Sequence, residues 1–251
     1  MALSVGNSLL ACLFSLSAVC VSHAEALPPV PDLGERISTF QTQNPPPDAH
    51  LQAVMEKAAQ DLATAMPEPG LHVGTRAPDF SLPDAFGKRV SLSGLLADGP
   101  VILTFYRGAW CPYCNLQLRA LKESLPHFMA FGAQLVAITP QTPDRSTAQV
   151  AEDGYSFPIL SDLDDRVMQA YNLYFEVPEE LRTLYLEDFS LDIAAYNGEG
   201  RHGLPVPGTF VIDSQGIIRA AFADTDYRKR MEPAAIIDAL SDLSGDTQGM
   251  Q

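Results

Sequence analysis

Residues 101–114 read Val-Ile-Leu-Thr-Phe-Tyr-Arg-Gly-Ala-Trp-Cys-Pro-Tyr-Cys. Val101–Tyr106 is a continuous apolar run of the kind carried by a central strand covered on both faces. The run gives way to a helix opening at Pro112, since proline suits the first helical position, where its missing N–H would have had no partner. Cys111 then falls at the N-cap, among unpaired N–H donors and at the positive end of the helix dipole. A thiolate is stabilised there, and the thiolate is the reactive form. Cys114 follows one turn later and can reach back. The expectation is an exposed, nucleophilic Cys111 and a more buried, resolving Cys114, with Arg107 adding positive potential. A CxxC that follows a strand and opens a helix is a strong redox signal. A structural zinc site wants a second ligand pair, and His127 and His202 lack ligand-like spacing. An inert disulfide closing so short a loop stabilises little. No metal and no cofactor is expected.

Outward from this stretch the chain alternates short strands and helices. Helices are predicted over 112–130, where Pro126 kinks or shortens the element, and over 144–152, 164–171 and 233–243. Strands are predicted at 135–138 and 157–160, and a hairpin at 209–213 and 217–222 around Ser214-Gln-Gly216. The fold class is α/β, a central mixed sheet flanked by helices. Residues 176–200 interrupt the alternation with seven acids and one base, Arg182. They read as a helical, packed insertion that presents either a solvated face or a lid beside the active site. Gly198–Gly203 matches GxGxxG, but no clear strand precedes it and Leu204-Pro-Val-Pro207 cannot open a helix after it.

Residues 1–24 read as a secretory leader: an apolar run from Leu9 to Val21, then Ser22-His23-Ala24 with small residues at a cleavage site. The run is shorter than the ~20 residues that span a bilayer. No Lys or Arg precedes it. Cleavage removes Cys12 and Cys20, so Cys111 and Cys114 are the cysteines of an exported chain. Residues 25–70 form a Pro-rich linker, extended over 25–47, and then a helix from Asp48 to about Met66. Residues 71–245 form the main domain. The 251 residues are 46% apolar and carry a net charge of −15, which disfavours nucleic acid and anionic membrane surfaces as partners.

Three stretches carry a resemblance. Gly74-Thr-Arg-Ala-Pro78-Asp79-Phe80 through Leu92 resembles the opening hairpin of the alkyl hydroperoxide reductase C / thiol-specific antioxidant family, peroxiredoxin-like members of the thioredoxin-fold superfamily. Leu103–Cys114 resembles its active-site strand and helix start, and Val206–Asp213 the strand opposite. The resemblance implies a thioredoxin-like fold with a peroxiredoxin-like N-terminal hairpin, and a redox-active pair that reduces hydroperoxides and is restored by thioredoxin or another dithiol. In that family's register the peroxidatic cysteine falls on Cys114, its threonine on Cys111, its proline on Arg107 and its arginine near Pro207. Pro207 is also where thioredoxin-like proteins place a cis-proline. The Pro-Tyr between the cysteines is glutaredoxin-like, and Trp110 is thioredoxin-like. Register therefore nominates Cys114 for peroxide, while the helix end nominates Cys111 for disulfide exchange. An exported thiol–disulfide oxidoreductase acting on disulfide substrates and a non-catalytic binding module are the alternatives. Tyr106, Arg107, Trp110 and Thr209 are expected site neighbours. Tyr227, Arg228 and Arg230 form a basic spot expected to pair with the acidic insertion.

Overall fold

In the computed structural model, which describes residues 26–45 and 48–248, the apolar run lies at the middle of a five-stranded sheet. β1 (Ser81–Pro83) and β2 (Arg89–Ser91) form the opening hairpin. β3 (Val101–Phe105), β4 (Gln134–Thr139) and β5 (Ile159–Ser161) are parallel neighbours. β6 (Tyr174–Glu176) and β7 (Gly203–Pro205) make a two-stranded antiparallel ribbon. β8 (Gly208–Ile212) and β9 (Ile218–Ala223) complete the large sheet, whose order is β5-β4-β3-β8-β9. β3 runs antiparallel to β8, with Leu103 opposite Val136 on one side and Phe210 on the other.

Side chains of β3 alternate between two layers, as the pleat requires. Val101, Leu103 and Phe105 enter one core with Phe80, Leu92, Met168 and Tyr171. Ile102 and Tyr106 enter the other with Leu118, Leu121, Phe128, Ile236 and Leu240. The covering helices are α3 (Leu92–Leu96) and α7 (Arg166–Ala170) on the first face, and α4 (Pro112–Glu123), α5 (Leu125–Ala130) and α10 (Pro233–Gln248) on the second. The helix predicted over 112–130 is divided at Ser124, because Pro126 has no N–H to continue the hydrogen-bond ladder of α4. α6 (Pro143–Asp153) follows β4. α8 (Glu179–Phe189) and α9 (Ala194–Asn197) occupy the acidic insertion, which rises out of the β6–β7 ribbon and packs through Leu181, Leu184, Tyr185 and Ile193.

Two findings concern the N-terminal segment. α2 (Ala49–Ala65) is capped by Asp48, whose carboxylate accepts the N–H groups of His50 and Leu51. The stretch 25–47 is not extended throughout: α1 (Leu33–Gln43) lies within it. Asp32 accepts the Glu35 N–H at 2.7 Å, and Leu33 and Ile37 pack on Ala120 of α4. Arg36 meets Glu123 in a two-pronged ion pair at 2.8 and 2.6 Å. A cap followed by apolar residues at helical spacing overrides the flanking prolines. The leader expected at 1–24 lies outside the described residues. Among those described, no helix is long and apolar enough to cross a membrane.

Candidate active site

β3 ends at Phe105 and the chain turns through Arg107–Trp110 before α4 begins. Gly108 is required at that turn: a β-carbon there stands 2.5 Å from Trp110 Nε1. A buried polar network holds the loop from behind. Gln141 Oε1 accepts the Ala109 N–H at 3.1 Å, and Asn115 Nδ2 donates to the Ala109 carbonyl at 2.7 Å. Tyr106, fully buried, donates to Gln149 Oε1 at 2.8 Å and accepts from Gln141 Nε2 at 3.1 Å.

Cys111 is the N-cap of α4 with proline beside it, as the sequence predicts, and its sulfur hydrogen-bonds that of Cys114. The exposure expected of Cys111 is not found. It is 1% exposed and Cys114 0%, under a cover of Trp110 and Tyr113. The ionisation is also reversed. Burial pushes the Cys111 thiol well up, and the hydrogen bond to Cys114 and that sulfur's charge add to the rise. Burial opposes ionisation of Cys114 too. The Cys111 hydrogen bond, the Arg230 charge, the Arg107 backbone N–H and the Arg107 charge outweigh it and lower the Cys114 thiol to about 5. The cause is geometric. The Arg107 and Arg230 charges act on Cys111 as well but are outweighed by burial and by Cys114, whereas Arg230 reaches Cys114 Sγ at 3.6 Å from the loop before α10. Of the two sulfurs, Cys114 is the one whose surroundings favour ionisation.

Arg107 is 5% exposed and sits over the rings of Trp110 and Tyr227, 4.8 and 4.6 Å from their centroids. Its Nη2 donates to the Tyr185 hydroxyl at 2.8 Å, so the acidic insertion contributes a side chain to the site. Among the described residues, Arg107 Nε, Trp110 Nε1 and Arg230 Nε are buried donors with no acceptor. Thr209 lies beneath α4: its hydroxyl meets Thr104 Oγ1 at 3.0 Å and accepts from Gln117 Nε2 at 3.1 Å. Pro207 follows the β6–β7 ribbon in the trans form, since no described peptide bond is cis. The Val206 N–H donates to the Leu173 carbonyl at 2.7 Å, which carries the chain straight into β8 without the tight turn expected of a cis-proline. The basic spot does not pair with the insertion. Arg228 meets Asp226 at 2.7 Å and Lys229 meets Asp224 at 2.9 Å, both local, while Arg230 turns inward to the sulfur.

Tyr185, Gln141, Gln149 and the role of Arg230 escaped the sequence reading. The basic triplet at 228–230 was the one signal present for Arg230.

Residues 73–221 match the profile of the AhpC/TSA family. A putative peroxiredoxin of Mycobacterium tuberculosis is 34% identical over 133 residues, 49% of this chain and 84% of the relative. A thiol-disulfide oxidoreductase, ResA, of Geobacillus kaustophilus is 29% identical over 161 residues, 64% of this chain and 74% of the relative. Among solved structures, peroxidoxin BcpB from Mycobacterium tuberculosis superposes with a TM-score of 0.53 at 23% identity, covering 71% of this chain and 98% of that one. That likeness carries the thioredoxin-like fold.

Proposed function

Because the chain belongs to the AhpC/TSA family, we propose that it is a thiol-dependent peroxidase, an oxidoreductase in which Cys114 attacks and Cys111 resolves. The observation that carries this reading is the buried Cys114 sulfur, 3.6 Å from Arg230 Nη2 and beside the Arg107 N–H and Cys111, a setting that favours its ionisation. The thiolate displaces an alkoxide or hydroxide from the peroxide: an S–O bond forms, the O–O bond breaks, and the leaving oxygen takes up a proton. Cys114 becomes a sulfenic acid. The Cys111 thiol then condenses with it, releasing water and closing the Cys111–Cys114 disulfide. Two electrons and two protons from a dithiol reductant of the thioredoxin kind restore the pair. The unpartnered donors on Arg107, Trp110 and Arg230 supply hydrogen bonds to the oxygen that gains charge as the O–O bond breaks.

Thiol–disulfide exchange is the second reading, favoured by the CxxC at a helix start and by the Geobacillus relative. The depth of the sulfurs argues against it as the main activity. Exchange requires a partner's disulfide to approach the sulfur directly, whereas a peroxide is small enough to enter a closed site. Re-reduction then requires the Trp110–Tyr113 cover to open. The leader-like residues 1–24 support placing this chemistry in an exported protein.

Stopped-flow mixing of reduced protein with hydrogen peroxide, followed by trapping with dimedone, tests the assignment. Cys111→Ser keeps the fast first oxidation and accumulates trapped sulfenic acid at Cys114, while Cys114→Ser loses the fast phase. Oxidation of the native protein no faster than that of free cysteine overturns the peroxidase reading. A fast phase surviving in Cys114→Ser overturns the choice of sulfur.

A further inference from the structure

A cavity of about 480 Å³ opens between α2, α8 and the β6–β7 ribbon, with Arg107 at its inner end. Its volume lies in the range of about 300–1,000 Å³ typical of small-molecule sites. The walls are apolar: Met55 and Leu62 from α2, Leu181 from α8, Phe175 from β6, and Val206. Met55 and Leu62 precede residue 73, where the family match begins, so one wall lies outside the matched region.

The inner end is unlike the walls. The Arg107 guanidinium is buried, its Nε has no acceptor among the described residues, and the groups facing it are Tyr185, Tyr227 and the two cysteines, with no carboxylate among them. Apart from the Cys114 sulfur no anionic group faces this desolvated guanidinium, and its planar fork suits a carboxylate. A neutral hydrocarbon offers that fork no acceptor, and a cationic ligand is repelled by it. The two acids on the lining are at the mouth: Asp61 is engaged by Lys57 at 2.6 Å and Glu176 by the Tyr174 hydroxyl at 2.8 Å, and both side chains are more than half exposed. They screen the entrance and leave the far end positive.

We propose that this cavity binds an aliphatic carboxylate, its hydrocarbon chain along the wall between α2 and α8 and its carboxylate on the Arg107 guanidinium. Burial of the chain supplies the bulk of the affinity, and the charge-assisted hydrogen bonds at Arg107 set the orientation. Because Arg107 also faces Cys114, a bound carboxylate places a negative charge near the thiolate and disfavours it.

Titration calorimetry of the reduced full-length protein with decanoate, decanol and decyltrimethylammonium tests this without reference to peroxide chemistry. Decanoate is expected to saturate a single site. Decanol and decyltrimethylammonium bind at least about tenfold more weakly, a factor corresponding to ~1.4 kcal/mol. Arg107→Met abolishes the preference for decanoate over decanol. Ala58→Trp, which fills the cavity from the α2 side away from the sulfurs, abolishes decanoate binding while the urea midpoint stays native. Decanol binding as tightly as decanoate overturns the Arg107 anchor. Undiminished decanoate binding in Ala58→Trp, or none to the native protein, overturns the site. Saturable decanoate binding by a protein inert to peroxide leaves this inference standing and removes the peroxidase reading alone.

Discussion

Replacing Arg230 by methionine removes the side-chain cation closest to Cys114 while keeping comparable apolar bulk. Arg230 Nη2 lies 3.6 Å from the sulfur, and its charge is centred farther out on the guanidinium. At an effective dielectric constant of about 20, unit charges roughly 4–5 Å apart interact by about 3–4 kcal/mol. That is about two to three pKa units, at 1.36 kcal/mol per unit. The Cys114 thiol, lowered to about 5 in the native protein, therefore moves to roughly 7–8 in the variant. The assay is alkylation by iodoacetamide as a function of pH, resolved to Cys114 by peptide mapping. The inflection is the readout, because a thiolate of higher pKa is intrinsically more nucleophilic and offsets much of the lost thiolate fraction at any one pH. Arg230→Lys restores part of the shift by returning the charge. An inflection that stays near 5 in Arg230→Met, with native near-ultraviolet dichroism, refutes the reasoning and leaves the Arg107 N–H, the Arg107 charge and the Cys111 hydrogen bond as the stabilising influences.

Four further outcomes follow from the geometry. The rate of oxidation by peroxide is level above about pH 6 and falls about tenfold per unit below about pH 5, as Cys114 takes up its proton; a single inflection near the ordinary thiol value of 9.0 contradicts this. The same depressed pKa makes the reduced protein gain stability as pH rises from about 5 toward 9.0, because the unfolded thiol still holds a proton that the folded one has lost. Urea titrations of reduced and oxidised protein across that window show the extra slope in the reduced form alone. Leu33→Ala empties a fully buried position between α1 and α4 and costs about 2–5 kcal/mol. Glu123→Gln breaks an ion pair whose members are 37% and 50% exposed and costs less than about 1 kcal/mol; denaturant midpoints in the opposite order disprove the account of how α1 is held. Trp110 is the sole tryptophan, precedes Cys111 and packs against the core cluster that holds both cysteines, so its emission shifts on disulfide formation and recovers on reduction; a spectrum indifferent to redox state refutes that coupling.

What the sequence made legible was local. An unbroken apolar run, a proline after a cysteine, and turn residues between short runs each dictate a conformation within a few positions. β3, the start of α4 and the β8–β9 hairpin follow from them. Asp48 announces α2 for the same reason. The segment before it departs from the extended form its prolines suggest because Asp32 caps α1 and Leu33 and Ile37 bury it. The site was legible as a pair of sulfurs and illegible as a hierarchy between them. The dipole argument weighs groups within a turn of Cys111, while Arg230 arrives at Cys114 from 116 residues away. Tyr185 reaches Arg107 across 78 residues from an insertion whose acidity suggested solvent. Such convergence depends on how the layers stack, and no spacing along the chain encodes it. Pro207 shows the converse: the residue type fits a cis bond, but the ribbon preceding it sets a straight path.

The seam of Thr104, Thr209 and Gln117 gives α4 a single seat. Hydrocarbon surfaces slide over one another at little cost, so a helix held by them alone tolerates small rotations. This helix is keyed to two strands by hydroxyls and an amide deep in the interior, and displacement by one residue leaves those atoms unmatched at about 1–3 kcal/mol each. Both sulfurs ride on that key. Their mutual spacing is accordingly a property of the whole barrel of packing behind them, kept while the core is intact and surrendered all at once when it melts.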